Sequence, residues 1–176
     1  MSSSFWERFR PDIYADTLND IDLTDLKAKG FDTLLVDMDN TLLPWKGIHI
    51  PDSSREWVKT AVALGFRICI VSNTHNPRRL RIVGDELGVK TVFQAVKPRR
   101  RGFNSAMHIL GSVAEHCVVV GDQMLTDIWG GRRSGMLTIL VLPMHNHEFI
   151  GTKLSRLVER AIMSSLHRKP VSKKEL

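Results

Sequence analysis

The stretch LLVDMDNTLLPW, residues 34–45, sets two acids, Asp37 and Asp39, two positions apart where an apolar run ends. The run itself has the continuous apolar character of a strand buried on both faces. Two carboxylates this close repel, and burial strips each of hydration, so both are driven toward protonation unless a cation or a catalytic task compensates. Read alone, the stretch also fits a strand running into an Asx-type turn. The rest of the chain decides between the two.

Four more segments share that apolar character: residues 66–73 (FRICIVSN), 90–96 (KTVFQAV), 116–122 (HCVVVGD) and 136–142 (MLTILVL), which with 31–37 (FDTLLVD) make five expected strands. Between them the pattern predicts helices over 53–64, 77–88, 101–111 and 124–134, with starts such as Asp52-Ser53 and Asn76-Pro77 supplying cap chemistry. Strands alternating with helices imply right-handed crossovers and a parallel sheet covered on both faces. The expected fold class is therefore α/β, a doubly wound parallel sheet in a Rossmann-like three-layer sandwich. Ligands of such sheets bind beyond the carboxyl ends of the strands. That rule gathers Asp37 and Asp39 from the first strand, Ser72 and Asn73 from the second, and Asp122 from the fourth on one edge.

Carboxylates from two strands form a hard, oxygen-only site suited to Mg²⁺ with water and a substrate phosphate. Asp37 is then placed to attack phosphorus as a nucleophile, and Asp39 to protonate the leaving oxygen and later activate water. Phosphoryl transfer also needs donors around the equatorial oxygens. Ser72, Asn73 and Lys97, each just past an apolar run, supply a hydroxyl, an amide and an ammonium. Competing motifs fail on spacing: a calcium loop starting at Asp37 would need Gly at the sixth position and Glu at the twelfth, where Leu42 and Ile48 stand. The segment GDELGVKT lacks the spacing of a nucleotide-binding P-loop, and no Cys or His pattern suggests zinc.

The 176 residues, 43% of them hydrophobic, suffice for one globular core without staples. Cys69 and Cys117 sit inside apolar runs, which suits buried thiols in a reducing compartment. No apolar run approaches the roughly 18 residues of a spanning helix, and the first residues, MSSSFWERFRPD, lack the apolar region of a signal peptide. An intracellular, soluble protein is expected. A net charge of +6 points to anionic partners, whether phosphorylated metabolites, nucleic acid or lipid headgroups. The basic clusters at Arg78, Arg79 and Arg81, and at Lys97 with Arg99 to Arg101, each read individually as solvated helix faces.

Taken together, the residues resemble the haloacid dehalogenase-like (HAD) phosphatases. Asp37-Met38-Asp39-Asn40-Thr41 is similar to that family's Asp-x-Asp-x-Thr signature, Ser72 to its second motif, Lys97 to its third, and GDQMLTD (121–127) to its fourth, in order. The resemblance implies nucleophile Asp37, acid/base Asp39 and phosphate binders Thr41, Ser72 and Lys97. It also implies Mg²⁺ held by Asp37, the Asp39 carbonyl and Asp122, with Asp127 assisting. More narrowly, VDMDNTLLPW, SNTHNPRR, AVKPRR and GDQMLTDIWGGRRSGM resemble the YqeG-like branch, related to phosphatases acting on phosphatidylglycerophosphate. It implies a bacterial cytoplasmic protein. The intervals from Thr41 to Ser72 and from Ser72 to Lys97 leave no room for the cap that many relatives carry.

Three segments are expected: an N-terminal arm over 1–30 packed on or near the core, a HAD-like phosphatase core over 31–145, and a C-terminal segment over 146–176. That last segment reads as an amphipathic helix from about Thr152 to His167 followed by a mobile basic tail. An open, capless site suits a phosphate presented on something bulky, including a lipid headgroup. Transient contact with an anionic membrane, peripheral at the inner face, is the corresponding expectation. The competing reading is a basic binding module that keeps the fold for docking to RNA or a ribosomal particle.

Overall fold

The computed structural model describes residues 8–144. The expectations for the C-terminal helix and the basic tail lie outside those residues.

Six strands form one parallel sheet: β1 (Ile13–Ala15), β2 (Thr33–Val36), β3 (Arg67–Val71), β4 (Lys90–Val92), β5 (Cys117–Gly121) and β6 (Leu137–Val141), in the order β1-β6-β5-β2-β3-β4. The helices are α1 (Leu23–Ala28), α2 (Asp52–Ala63), α3 (Pro77–Leu87), α4 (Arg100–Leu110) and α5 (Trp129–Arg133). Successive strand residues point to opposite faces. On one face Leu34, Val36, Ile70 and Val120 pack against Leu26 of α1, Trp57 and Val58 of α2, and Leu80 and Val83 of α3. On the other, Leu35, Cys69, Val71 and Val119 pack against Phe103 and Ala106 of α4. Burying each such side chain contributes about 1.5–3 kcal/mol, which makes the central strands the rigid part of the molecule. Both cysteines are free and buried, and burial pushes the Cys69 thiol up to about 12.

The sheet has one strand more than the sequence pattern predicts. Ile13–Ala15 pairs in parallel with β6, Ile13 opposite Ile139 and Ala15 opposite Val141. Three residues are too few to show a period. The strand is held by Asp12 instead, whose carboxylate accepts from the Thr138 backbone and hydroxyl at 2.8 Å each and from Arg132 at 2.5 Å. The expected helix over 124–134 is also modified. It begins as a single π turn over Met124–Ile128 before continuing as α5.

The observed strands stop short of their expected ends because the residues at the carboxyl edge turn into the site. After β4 the chain swings through Gln94 and Val96, both at positive φ (45° and 54°), with the Ala95 N–H tied to the Ser72 carbonyl at 3.0 Å. Between β2 and α2, residues 37–51 contain no helix and no strand, and only residues 72–76 separate β3 from α3. No cap is inserted at either place.

Candidate active site

The ends of four strands, β2, β3, β4 and β5, and the loops after them deliver their polar side chains to one edge. Asp37 directly follows β2, and its N–H still donates to the Val120 carbonyl of β5 at 2.9 Å, so the sheet fixes its backbone. Its side chain is buried. Lys97, also buried, enters from the loop after β4 and donates from Nζ to Asp37 Oδ1 at 2.5 Å and to Asp127 Oδ1 at 2.6 Å. The other Asp127 oxygen accepts from the Gln123 N–H at 3.2 Å, in the π turn that points this residue inward. Gly121 makes room for it: a Cβ there would lie 2.4 Å from Asp127 Cγ.

Asp37 Oδ2 and Asp122 Oδ1 are buried without a partner. Leaving buried carboxylate oxygens unpaired is costly. Burial, with the charges of Asp127 and Asp39 added, overrides Lys97 and pushes Asp37 up to about 7. Burial, with Asp37 and Asp127, pushes Asp122 up to about 9. Burial alone would lower Lys97, yet the Asp127 and Asp37 carboxylates outweigh it and keep the ammonium charged.

The donor set fits a divalent cation. Asp37, Asp122 and Asp127 each offer an oxygen within 4.8 Å of the others. With every group ionised, the carboxylates of Asp37, Asp39, Asp122 and Asp127 exceed the cations Lys97 and Arg79 by two charges, the charge of Mg²⁺. A bound cation at such a site inverts the local preference for protonation.

Asp39 stands apart from that cluster. Arg79 on α3 grips it bidentately, Nη1 to Oδ2 at 2.9 Å and Nη2 to Oδ1 at 2.8 Å, and the Lys46 N–H adds a third bond to Oδ1 at 2.9 Å. Arg79 Nε also donates to the Gly47 carbonyl at 2.7 Å. Oδ1 has both lone pairs filled, whereas Oδ2 keeps one available for a proton. The turn that carries Asp39 closes through the Asn40 N–H to the Leu43 carbonyl at 2.8 Å, with Asn40 at φ 61°. Asn tolerates this left-handed conformation better than most residues do.

The remaining candidates are placed as follows. Ser72 is buried, its Oγ accepting from the Thr74 N–H at 3.1 Å while its own proton stays available. Asn73 spends both ends of its amide on the Lys97 backbone, accepting at 2.8 Å and donating at 3.1 Å, and so holds the lysine loop. The Thr41 hydroxyl is buried without a partner. Thr41 also borders a groove of about 400 Å³ shared with Leu142 to Met144 and Ser54, which the acid cluster does not line. Arg79 corrects the reading of its cluster as a solvated face: Arg78 is exposed, but Arg79 is buried. The signal available was helical phase, because Arg79 shares the buried side of α3 with Leu80, Val83 and Gly84.

A parallel sheet with these groups at its carboxyl edge defines a phosphoryl-transfer class of protein. Residues 95–143 match the HAD-hydrolase-like family model. The chain is 37% identical over 161 residues to the probable phosphatase YqeG of Bacillus subtilis, covering 92% of this chain and 93% of that one. It is 29% identical over 169 residues to phosphatidylglycerophosphate phosphatase 1, chloroplastic/mitochondrial, of Arabidopsis thaliana, covering 90% of this chain and 48% of that longer one. The fold matches the cobalt-bound deoxy-D-mannose-octulosonate 8-phosphate phosphatase of Haemophilus influenzae at a TM-score of 0.52 and 15% identity, over 82% of this chain and 96% of the other. The chain belongs to the HAD-like phosphatases, in the YqeG branch, and is a phosphoric monoester hydrolase related to phosphatidylglycerophosphatases.

Proposed function

We propose that this phosphatase works through an aspartyl-phosphate on Asp37, requires Mg²⁺, and removes the terminal phosphate of phosphatidylglycerophosphate. The observation that carries the reading is Asp37 itself: buried, with Oδ1 tied by Lys97 and Oδ2 unpaired, beside a second unpaired oxygen on Asp122. An Asp37 oxygen attacks phosphorus, the P–O bond to the alcohol breaks, and Asp39 delivers a proton from Oδ2 to the leaving oxygen. Water then attacks the phosphorus, giving its proton to Asp39, and the P–O bond to Asp37 breaks to release phosphate and restore the carboxylate. Lys97 and the Ser72 hydroxyl supply donors to the equatorial oxygens, and Asn73 holds the lysine in place. Mg²⁺, held by Asp37, Asp122 and Asp127 and by the Asp39 carbonyl, would balance the site's excess negative charge and polarise a phosphate oxygen. The lipid substrate is supported by the Arabidopsis relative's name and by the absence of a cap at either loop.

Asp37→Asn keeps the shape and removes the attacking oxygen. Its kcat is expected to fall by several orders of magnitude, and radiolabelled phosphate from substrate should be trapped on the parent after acid quench but not on the variant. Turnover of the variant at the parental rate would sink the covalent mechanism. Full activity of the parent in EDTA would sink the metal requirement, and hydrolysis confined to small soluble phosphates would sink the lipid substrate.

A further inference from the structure

In a parallel sheet each crossover helix starts at the carboxyl edge of the strands, so the first turns of α3 and α4 stand beside the catalytic groups. Arg78 is the second residue of α3, and Arg99, Arg100 and Arg101 form the start of α4. All four are exposed. Beside them lie apolar side chains in contact with water: Ile48, 64% exposed, Val96, 46%, and Phe93, 37%. Ile48 is brought to α3 by its neighbour Gly47, whose carbonyl takes the Arg79 bond. Phe93 and Val96 belong to the loop that delivers Lys97, tied to Ser72 through Ala95 and to Asn73 through Lys97. A β-branched residue at φ 54° is strained, and the turn that sends Lys97 inward leaves the Val96 side chain exposed.

The rim therefore interleaves apolar and cationic groups around the mouth of the site on its β3–β4 side. Residues 44–49, 72–79 and 93–101, which build it, contain no Asp or Glu. The exposed acids of this edge, Asp16, Asp20, Asp22 and Asp52, fall between β1 and α1 and at the start of α2. A planar anionic layer with an apolar interior complements both components of the rim at once. We propose that this rim docks on an anionic lipid bilayer, Ile48, Phe93 and Val96 entering the interface and Arg78 and Arg99 to Arg101 pairing with lipid phosphates. Docked this way, the protein presents Asp37 to a phosphate at headgroup depth. The inference rests on the phosphatase reading above and adds how the substrate is approached.

The test uses the full chain with neutral phosphatidylcholine vesicles, with vesicles carrying phosphatidylglycerol, and with an RNA homopolymer, at low and physiological salt. Turnover is followed in parallel on vesicle-borne phosphatidylglycerophosphate and on soluble p-nitrophenyl phosphate. The parent is expected to sediment with anionic but not neutral vesicles, less so as salt rises. Combining Arg99→Gln, Arg100→Gln and Arg101→Gln should lower partitioning on the order of a hundredfold at low salt. Combining Ile48→Ser with Phe93→Ser should weaken it at both salt concentrations. Both variants should keep soluble turnover, which reports an intact fold, and lose turnover on vesicles. No partitioning of the parent at low salt, partitioning of both variants equal to the parent, or tighter binding to RNA than to anionic vesicles would overturn the proposal. Vesicle binding that responds to these substitutions in a protein that hydrolyses neither phosphate would leave the docking face standing and remove the phosphatase reading instead.

Discussion

Arg79 and Asp39 form the one bidentate ion pair among the described groups of the site, and the geometry fixes which Asp39 oxygen keeps a lone pair. A planar fork holding a carboxylate is not replaced by a lysine's point charge. Arg79→Gln should therefore impair proton delivery to the leaving group more than phosphate binding, with kcat falling about 10- to 100-fold on a poor leaving group such as an alkyl phosphate. The loss should be much smaller on an activated aryl phosphate, whose leaving oxygen needs little protonation. Arg79→Lys should fall between. Equal losses on both substrates, or a change in KM alone, would show that Arg79 only supports the fold. Asp37, Asp39, Ser72, Lys97 and Asp122 were legible as candidates because each ends or follows an apolar run, whereas Asp127 was reached only through the resemblance of GDQMLTD to a family motif. Arg79 was not, because in SNTHNPRR it is distinguished from its exposed neighbour Arg78 only by the phase of a helix whose start had to be known first. The partners of Asn73 were hidden for a different reason: an amide after a strand reads equally as a ligand donor or as a backbone clamp.

The elements converge on the site through close approaches that leave no slack. The other five strands were readable from their apolar runs, whereas the edge strand β1 was not, since its place is fixed by Asp12 bonding to a residue 126 positions away. The π turn was equally unreadable. Its extra residue per turn is set by where Asp127 must point, and no pattern of apolar residues encodes that. Gly121 at the end of β5 is the contact between these elements, with Asp127 packed where a side chain would begin. Gly121→Ala should push the π turn away from the sheet and pull Asp127 off Lys97. Overpacking of this kind destabilises by about 1–3 kcal/mol. The expected signature is a weakened response to Mg²⁺, read as a rise in the concentration giving half-maximal activity, together with a lowered Tm. An alanine variant with the parental Mg²⁺ response would mean that Asp127 does not depend on this packing.

At the scale of the whole molecule, the chain carries +6 yet concentrates buried carboxylates at the centre of one edge. Asp37 and Asp122 are raised from 3.8 to about 7 and about 9 in the fold. The folded state thus holds protons that the unfolded chain releases. The stability these groups contribute is complete below about pH 4 and is lost as the pH rises through the two folded values. Lys97, raised as well, keeps its charge across that window and does not reverse the trend. The protein in EDTA is therefore expected to lose Tm steadily between about pH 5 and about pH 9. A cation that binds only the folded form reverses the loss: at a hundredfold its Kd, Mg²⁺ adds about 2.7 kcal/mol, or roughly 5 to 10 °C in Tm for a chain this long. Asp122→Asn separates the two effects. It removes a carboxyl that must take up a proton on folding near neutral pH, so in EDTA at that pH its Tm should exceed the parent's, while the rise on adding Mg²⁺ should largely vanish along with activity. Thermal melts of parent and variant across that pH range, with and without Mg²⁺, decide the matter. A variant that melts below the parent in EDTA, or one that still gains the parental increment from Mg²⁺, would show that Asp122 is neither the strained carboxylate nor the ligand assigned to it.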